Sequence, residues 1–345
     1  MSTHPDRASA LAHPNLALIK YWGKRDDDLV LPHTGSLSLT LDVFPTRTTV
    51  ALDPQLREDE FTLNGQMVGG APAQRVRTFL ELIRDLTRRH GGCTGASEGS
   101  ILKARVTSQN SVPTGAGLAS SASGFAALAA AAATVYGLPT DPVSLSRLAR
   151  RGSGSACRST LGGLVVWHPG EGEGEAADAT SFAEQLPGPE LAMVIAVVSA
   201  QEKSVSSRVA MKQSIRTSPF FPGWVSSTTA DLAEMTAALA AGDYTRVGEL
   251  TESNALRMHA VINGNRPPVR YLSPVSVALF DALAGLRAEG LEVYGTADAG
   301  PNVAVLCRAE DLEHTHEQLA QRFPQLQLIP ARSGPGVRLV EEGCA

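Results

Sequence analysis

The 345-residue chain is 43% hydrophobic and 19% charged, apolar and long enough to bury a substantial core in two apposed domains rather than one small module. Its formal net charge of −5 excludes the broad basic surface that non-specific binding to nucleic acid or anionic membrane requires, so an anionic ligand must meet locally placed Lys and Arg. Cys93, Cys157, Cys307 and Cys344 stand far apart without a CxxC pair, which excludes a zinc framework and reads as reduced thiols in a cytoplasmic protein.

In chain order, residues 1–14 are polar, with neither a signal-peptide core nor an anchor. The run Asn15-Leu-Ala-Leu-Ile-Lys20 then carries apolar residues into two lysines, Lys20 and Lys24, that flank Tyr21, Trp22 and Gly23. If a strand ends near Lys20 and the chain turns at Gly23, both ammonium groups converge on one anion and the aromatic pair walls the site. Surface lysines beside core aromatics give the same pattern. A strand is expected over 48–52, a helix over 73–89 and a strand over 101–107. Between the last two, Gly95-Ala-Ser97-Glu-Gly99 matches the GxSxG pattern, but a Gly-rich loop leading into a strand is the wrong context for a nucleophile elbow.

The segment Pro113-Thr-Gly115-Ala-Gly117-Leu118-Ala119-Ser120-Ser121-Ala-Ser-Gly124 follows that strand and opens a helix expected over 117–136. Small residues before a helix start are what a phosphate cradle needs, because the backbone amides can approach and the helix dipole adds positive potential. Close packing of a Gly/Ala-rich helix on a sheet explains the same composition. No Lys-Ser or Lys-Thr follows the last glycine, which excludes a Walker A loop, and Ser120 stands where a dinucleotide fingerprint needs Gly or Ala. The longest apolar stretch, 125–135, is mostly alanine and too short to span a bilayer.

A helix over 143–150 leads into Gly152-Ser153-Gly154-Ser155-Ala156-Cys157-Arg158. There Arg158 could grip a carboxylate through its planar fork, or simply end a tight turn. A strand is expected over 163–167, and the polar stretch 170–177 reads as a solvated surface loop near the domain boundary, with domains at 1–185 and 186–345. The second half has strands over 191–198 and 303–307 and longer helices over 226–241 and 275–289. Before the last strand, Asp298 sits in Thr296-Ala-Asp-Ala-Gly-Pro-Asn302, as a turn former or as a carboxylate presented to a reacting hydroxyl.

Taken in this order, IKYWGKRD, PTGAGLASSASG, GSGSACRS and DAGPN resemble the diphosphomevalonate decarboxylases of the GHMP kinase superfamily, a resemblance running from Ala12 to about Leu306. It implies a two-domain α/β (α+β) fold, with an N-terminal half like ribosomal protein S5 domain 2 and a C-terminal ferredoxin-like half, and an active site in the cleft between them. The activity implied is ATP-dependent decarboxylation of (R)-5-diphosphomevalonate to isopentenyl diphosphate, with ATP and Mg²⁺ as cofactors; a phosphomevalonate decarboxylase or a mevalonate 3-kinase is the alternative.

The resemblance further implies Asp298 as the carboxylate facing the C3 hydroxyl, Lys20 as its neighbour, Arg158 on the substrate carboxylate and Asn15 holding the arrangement. Tyr21, Trp22, Gly23, Lys24, Arg75, Ser153, Gly154, Ser155, Ala156, Cys157, Arg158, Ser207, Arg208 and Thr217 match substrate-binding positions. Ser108, Asn110, Pro113, Gly115, Gly117, Leu118, Ala119, Ser120 and Ser121 match the ATP site, with Ser121 toward Mg²⁺. It also implies a homodimer, and no nucleic-acid or membrane partner. Two departures are visible: Val166 stands where many relatives carry an acidic residue, and Val209-Ala210 precede Met211 where Gly commonly stands.

Overall fold

The structure, a computed structural model, describes residues 4–91, 101–111, 120–199, 201 and 204–341. The first half is built on a six-stranded sheet in the order Arg338–Leu339, Arg7–Ala12, Thr46–Asp53, Lys103–Asn110, Glu60–Leu63, Gln66–Met67, in which Glu60–Leu63 runs parallel to Lys103–Asn110 and the other pairs are antiparallel. The chain's last strand thus returns to the first sheet. Helix Ser120–Tyr136 covers it. This helix is apolar on nearly all sides, and Ala126, Ala127 and Ala129 to Ala133 are buried between the sheet and the helices Gly70–Arg89 and Pro142–Gly152. Short side chains let the helix approach closely, and a helix apolar all round has to be an interior one.

A second sheet, Ala183–Leu186, Leu164–Trp167, Ser36–Thr40 and Asn15–Ile19, is antiparallel throughout. The third, Tyr294–Thr296, Val303–Arg308, Leu191–Val197 and Gln327–Arg332, is antiparallel as well. In strand Leu191–Val197 the odd residues Leu191, Met193 and Ile195 join a core with Leu37, Leu39 and Leu164 of the second sheet. The even residues Ala192, Val194 and Ala196 pack with Leu279 and Leu283 of helix Pro274–Ala288. Period-two alternation therefore buries both faces of this strand, and one of them ties the halves of the molecule together.

The expected strands and helices occur, shifted by a few residues at their ends; residues 117–119 of the expected phosphate-loop helix lie outside the described residues. One expectation is corrected. Residues 171–176 are exposed, but the stretch 170–177 is not all loop, because Gly174–Thr180 forms a short helix that buries Ala177. Its Asp178 binds Arg147 at 2.6 Å and also Arg150, and these two partners fold the polar segment onto helix Pro142–Gly152.

Beneath helix Gly70–Arg89, Arg84 pairs in two places with Asp59 (3.0 and 2.8 Å), and Asp59 also accepts from the Ala104 amide at 2.9 Å. Both side chains are buried. Glu81 also reaches Arg84 at 2.5 Å, so replacing Asp59 with Ala leaves the guanidinium one carboxylate and the buried Ala104 amide none, an expected cost of about 1–3 kcal/mol; a denaturant midpoint near that of the parent protein would show that the pair does not hold this layer.

Candidate active site

Strand Asn15–Ile19 breaks register between Ala17 and Ile19 and ends there, so Lys20 leaves the sheet as its first residue. Its side chain is 1% exposed, and its Nζ donates to Asp298 Oδ1 at 2.6 Å. Asp298 lies in the bend between strands Tyr294–Thr296 and Val303–Arg308 and is 36% exposed. One partner is therefore sealed in the protein while the other opens to solvent. Burial lowers the Lys20 pKa, opposed by the Asp298 charge and hydrogen bond, with Arg158 adding to the lowering.

Arg158, 2% exposed, lies in the last turn of a 3-10 helix, Gly154–Thr160. Its Nε donates to Ser38 Oγ at 2.9 Å and to Asn15 Oδ1 at 3.3 Å, its Nη2 to Asn15 Oδ1 at 3.2 Å, and its Nη1 to Ser36 Oγ. Asn15 in turn donates to the Ser155 carbonyl at 3.0 Å and to Ser159 Oγ at 2.7 Å. A carbonyl oxygen for the arginine and an amide nitrogen for the turn can be met in only one orientation of Asn15. Strand Ser36–Thr40, SLSLT, alternates so that its serines meet the arginine while Leu37 and Leu39 enter the core. All these hydrogen-bond partners of Arg158 are neutral, and Asp298 acts on it through charge. It remains available to an incoming anion.

A second group of cations gathers around Tyr21. Lys24 pairs with Asp27 at 3.3 Å, and Lys212 pairs with the other oxygen of the same carboxylate at 2.7 Å. Lys24 also feels the charges of Arg208 and Lys212. Arg75 lies over the Phe125 ring at 5.0 Å and donates to the Gly152 carbonyl at 3.3 Å, while its buried Nε has no partner; burial and then Arg208 lower its pKa. The Tyr21 ring packs edge-on against Trp167 at 4.8 Å, and its buried hydroxyl has no hydrogen-bond partner while sensing both Arg158 and Arg208. Two orphaned donors, Arg75 Nε and the Tyr21 hydroxyl, amid cations fit an anionic ligand.

Several expected residues shape the site rather than grip. At Gly23, φ is +104°, and a Cβ there would meet Phe221 at 2.7 Å; one at Gly154 would meet the Tyr21 ring at 2.9 Å. Trp22 is a core residue whose indole N–H donates to Ser214 Oγ at 3.0 Å, tying down helix Ser207–Thr217 and with it Ser207 and Arg208. Ala156 and Cys157 are fully buried, and burial pushes the Cys157 thiol up to about 12. Lys20 and Lys24 each pair with a carboxylate of their own, Asp298 and Asp27. Thr217 closes the far end of its helix, about 15 Å from Ser207 at 1.5 Å per residue, and its hydroxyl is taken up by Gln213 and Arg266. The structure does not bring it to the others.

On the nucleotide side, Ser121 Oγ lies 3.4 Å from Ser153 Oγ, so the start of the alanine-rich helix abuts the turn that carries Arg158. No acidic residue occupies the first turn of that helix, leaving its positive end uncompensated, as a phosphate requires. Ser108 bonds Thr48 at 2.7 Å, and Asn110 bonds Asn64 at 3.1 and 3.0 Å, holding the strand that leads to the loop. Pro113, Gly115, Gly117, Leu118 and Ala119 lie outside the described residues, as does the Ser120 side chain. Among the described residues no cluster of His, Cys, Asp and Glu could hold a metal by itself. A cation here would rest on phosphate oxygens with help from the Ser121 hydroxyl.

Sequence reasoning missed Ser36, Ser38, Lys212, Asn254 and His259. The serine alternation was a readable signal for the first two. His259 is 2% exposed and its Nε2 lies 3.3 Å from the Ala297 carbonyl. Burial first, then Lys20, lowers its pKa from 6.5 to about 4. Because the folded state refuses this proton while the unfolded state accepts it, the contribution is complete above pH 6.5 and is lost as pH falls toward 4. Stability is expected to fall there by up to about 1.4 kcal/mol per pH unit on this account. Parallel urea titrations of the parent and of His259→Gln test it: the variant should lose the less stability on acidification, and equal slopes contradict the assignment.

Two family models match the chain, the diphosphomevalonate decarboxylase-like N-terminal domain over residues 12–183 and the mevalonate 5-diphosphate decarboxylase C-terminal domain over 193–335. The human diphosphomevalonate decarboxylase is 41% identical over 301 residues, 84% of this chain and 74% of the relative. A solved structure of MDDEF in complex with MVAPP, AMPPCP and magnesium is 44% identical with a TM-score of 0.88, covering 97% of this chain and 99% of that one. The mevalonate diphosphate decarboxylase of Staphylococcus aureus is 38% identical with a TM-score of 0.89, covering 97% and 98%.

Proposed function

The chain belongs to the diphosphomevalonate decarboxylase family, and on that premise we propose that it converts (R)-5-diphosphomevalonate and ATP to isopentenyl diphosphate, ADP, phosphate and CO₂, with Mg²⁺ required but not consumed. The observation that carries this reading is the Lys20–Asp298 ion pair with Arg158, a buried cation free of a carboxylate partner, close enough to feel Asp298.

A tertiary hydroxyl is a poor leaving group, and bound MgATP supplies the phosphoryl group that makes it a good one. Asp298 orients the C3 hydroxyl and accepts its proton, and the Lys20 ammonium compensates the carboxylate's charge throughout. Arg158 holds the substrate carboxylate with its carbon–carbon bond aligned for loss of CO₂, and its neutral partners Asn15, Ser36 and Ser38 fix the guanidinium without neutralising it. The cation group of Lys24, Arg75, Arg208 and Lys212 takes the diphosphate, with the Tyr21 hydroxyl between the two anionic ends. Ser153 and Ser155 border the substrate, and Ser207 opens the helix that presents Arg208. Pro113 to Ser121 hold the ATP phosphates, with Ser108 and Asn110 on the strand before them.

We assign residues 1–185 to an N-terminal unit with the phosphate loop and 186–345 to a C-terminal unit with Asp298, the terminal strand crossing back. Among the described residues no helix is long and apolar enough to cross a membrane. The buried free thiols of Cys157 and Cys307 suit a cytoplasmic location, and a homodimer is the family expectation. The test is product identity. Phosphorus and carbon NMR of a reaction with ATP, Mg²⁺ and 5-diphosphomevalonate should show a terminal alkene bearing an intact diphosphate, and a product that keeps its carboxylate would overturn the reading.

A further inference from the structure

The core face of helix Tyr244–Asn263 is apolar at Val247, Leu250, Ala255, Met258, Val261 and Ile262, yet it also buries Asn254 (0% exposed) and His259 (2%). Buried polar side chains persist only where their hydrogen bonds offset the loss of water. Both of these bond to the first residue beyond a strand. Lys20 follows strand Asn15–Ile19, and its N–H, past the end of the ladder, donates to Asn254 Oδ1 at 2.9 Å. Ala297 follows strand Tyr294–Thr296, and its carbonyl faces His259 Nε2 at 3.3 Å.

Asn254 is itself held in one orientation, since its amide nitrogen donates to Asp231 Oδ2 at 2.8 Å and Thr228 Oγ1 at 3.3 Å, and Asp231 is held by Arg257 at 2.5 Å. The Asp298 bend is pinned elsewhere too. Ser276 Oγ donates to the Pro301 carbonyl at 2.5 Å, and Asn302 Oδ1 accepts from the Val198 and Ser199 amides at 2.8 and 3.0 Å. Of these contacts, that of His259 comes from the helix of the residue that holds Lys20, and Glu252 of the same helix accepts from the Gly295 amide at 2.7 Å. Five residues separate Asn254 from His259, about 7.5 Å along the axis, so one rigid element fixes the backbone beneath both members of the ion pair.

We propose that helix Tyr244–Asn263 is the platform that sets the reacting pair, with Asn254 and His259 as positioning residues that act on Lys20 through its main-chain N–H and on Asp298 through the Ala297 carbonyl. The proposal rests on the reading of Lys20 and Asp298 as the reacting pair. A neutral imidazole suits the role: with Nε2 protonated it donates to the carbonyl and adds no third cation beside Lys20 and Arg158. Each reaches the pair through a main-chain atom, so the loss of either misplaces the pair and leaves the binding groups where they are.

In the full-length enzyme, His259→Leu should lower kcat by about 100-fold, the effect of a misplacement on the order of 1 Å, with KM for both substrates nearly unchanged. His259→Gln, which can still donate from about the same place, should recover most of the loss. Asn254→Ala carries the same expectation and serves if His259→Leu does not fold. Unchanged kcat in a folded variant overturns the proposal, as does a joint loss of kcat, KM and thermal stability that Gln does not rescue. Asp298→Asn is assayed alongside: full activity in that variant would refute the underlying pair, whereas an inactive Asp298→Asn beside a fully active His259→Leu would refute the platform alone.

Discussion

Replacing Asp298 with Asn is expected to lower kcat by about 10²- to 10⁴-fold, the range that a positioned proton acceptor contributes, while KM for 5-diphosphomevalonate changes little. The amide keeps the size of the carboxylate and could still accept from Lys20, whose Nζ now lies 2.6 Å from Oδ1. It lacks the charge that the buried ammonium offsets and the basicity to take a hydroxyl proton. Because Lys20 is sealed, the substitution also leaves its ammonium without a counter-charge, so a loss of thermal stability is expected beside the loss of kcat. A variant within tenfold of the parent kcat would show that the carboxylate does not serve the chemical step.

The second large effect is expected at Arg158. Its three neutral neighbours, Asn15, Ser36 and Ser38, are buried and spend their oxygens on the guanidinium. Arg158→Leu removes the grip on the substrate carboxylate and leaves those oxygens unsatisfied. A hydrogen bond to a charged group contributes about 2–3 kcal/mol, so kcat/KM should fall by ~30- to 150-fold, with a loss of thermal stability as well. Lysine should not substitute, since a single ammonium cannot meet two serines, an amide and a carboxylate from one plane. Steady-state kinetics of Arg158→Lys would check this, and near-parental kcat/KM would show that charge alone suffices there.

Much of this site is legible in short motifs because each lies where a regular element stops. Lys20 follows a strand, Arg158 lies in the last turn of a 3-10 helix and Asp298 occupies a bend between strands. Small residues and local composition mark such places. The partners that hold them are a different matter. Asn254 is 234 residues from Lys20, and Ser36 is 122 residues from Arg158. On its helix Asn254 looks like any polar residue, and only the packing of the halves gives it a function. The alternation of SLSLT is visible in the sequence, but what its serines meet is not.

Where expectation and structure part, local competition explains it. The Thr217 hydroxyl donates to the Gln213 carbonyl and accepts from the Arg266 amide, and Lys24 pairs with Asp27. The Gly- and Glu-rich stretch read as loop because glycines dominate it, yet Asp178, reached by Arg147 and Arg150, folds its second half into a turn of helix. The likeness to diphosphomevalonate decarboxylases holds across both halves, and the solved relatives support decarboxylation of the diphosphate rather than a sister activity on a monophosphate.

The central claim, that one cleft joins phosphoryl transfer at C3 to loss of the carboxylate held by Arg158, is tested most directly by following ADP and CO₂ together. Purified protein with ATP and Mg²⁺ is given 5-diphosphomevalonate, and separately 5-phosphomevalonate. Equimolar ADP and CO₂ with the diphosphate, and little of either with the monophosphate, is the predicted result; ADP without CO₂, or a preference for the monophosphate, would contradict it.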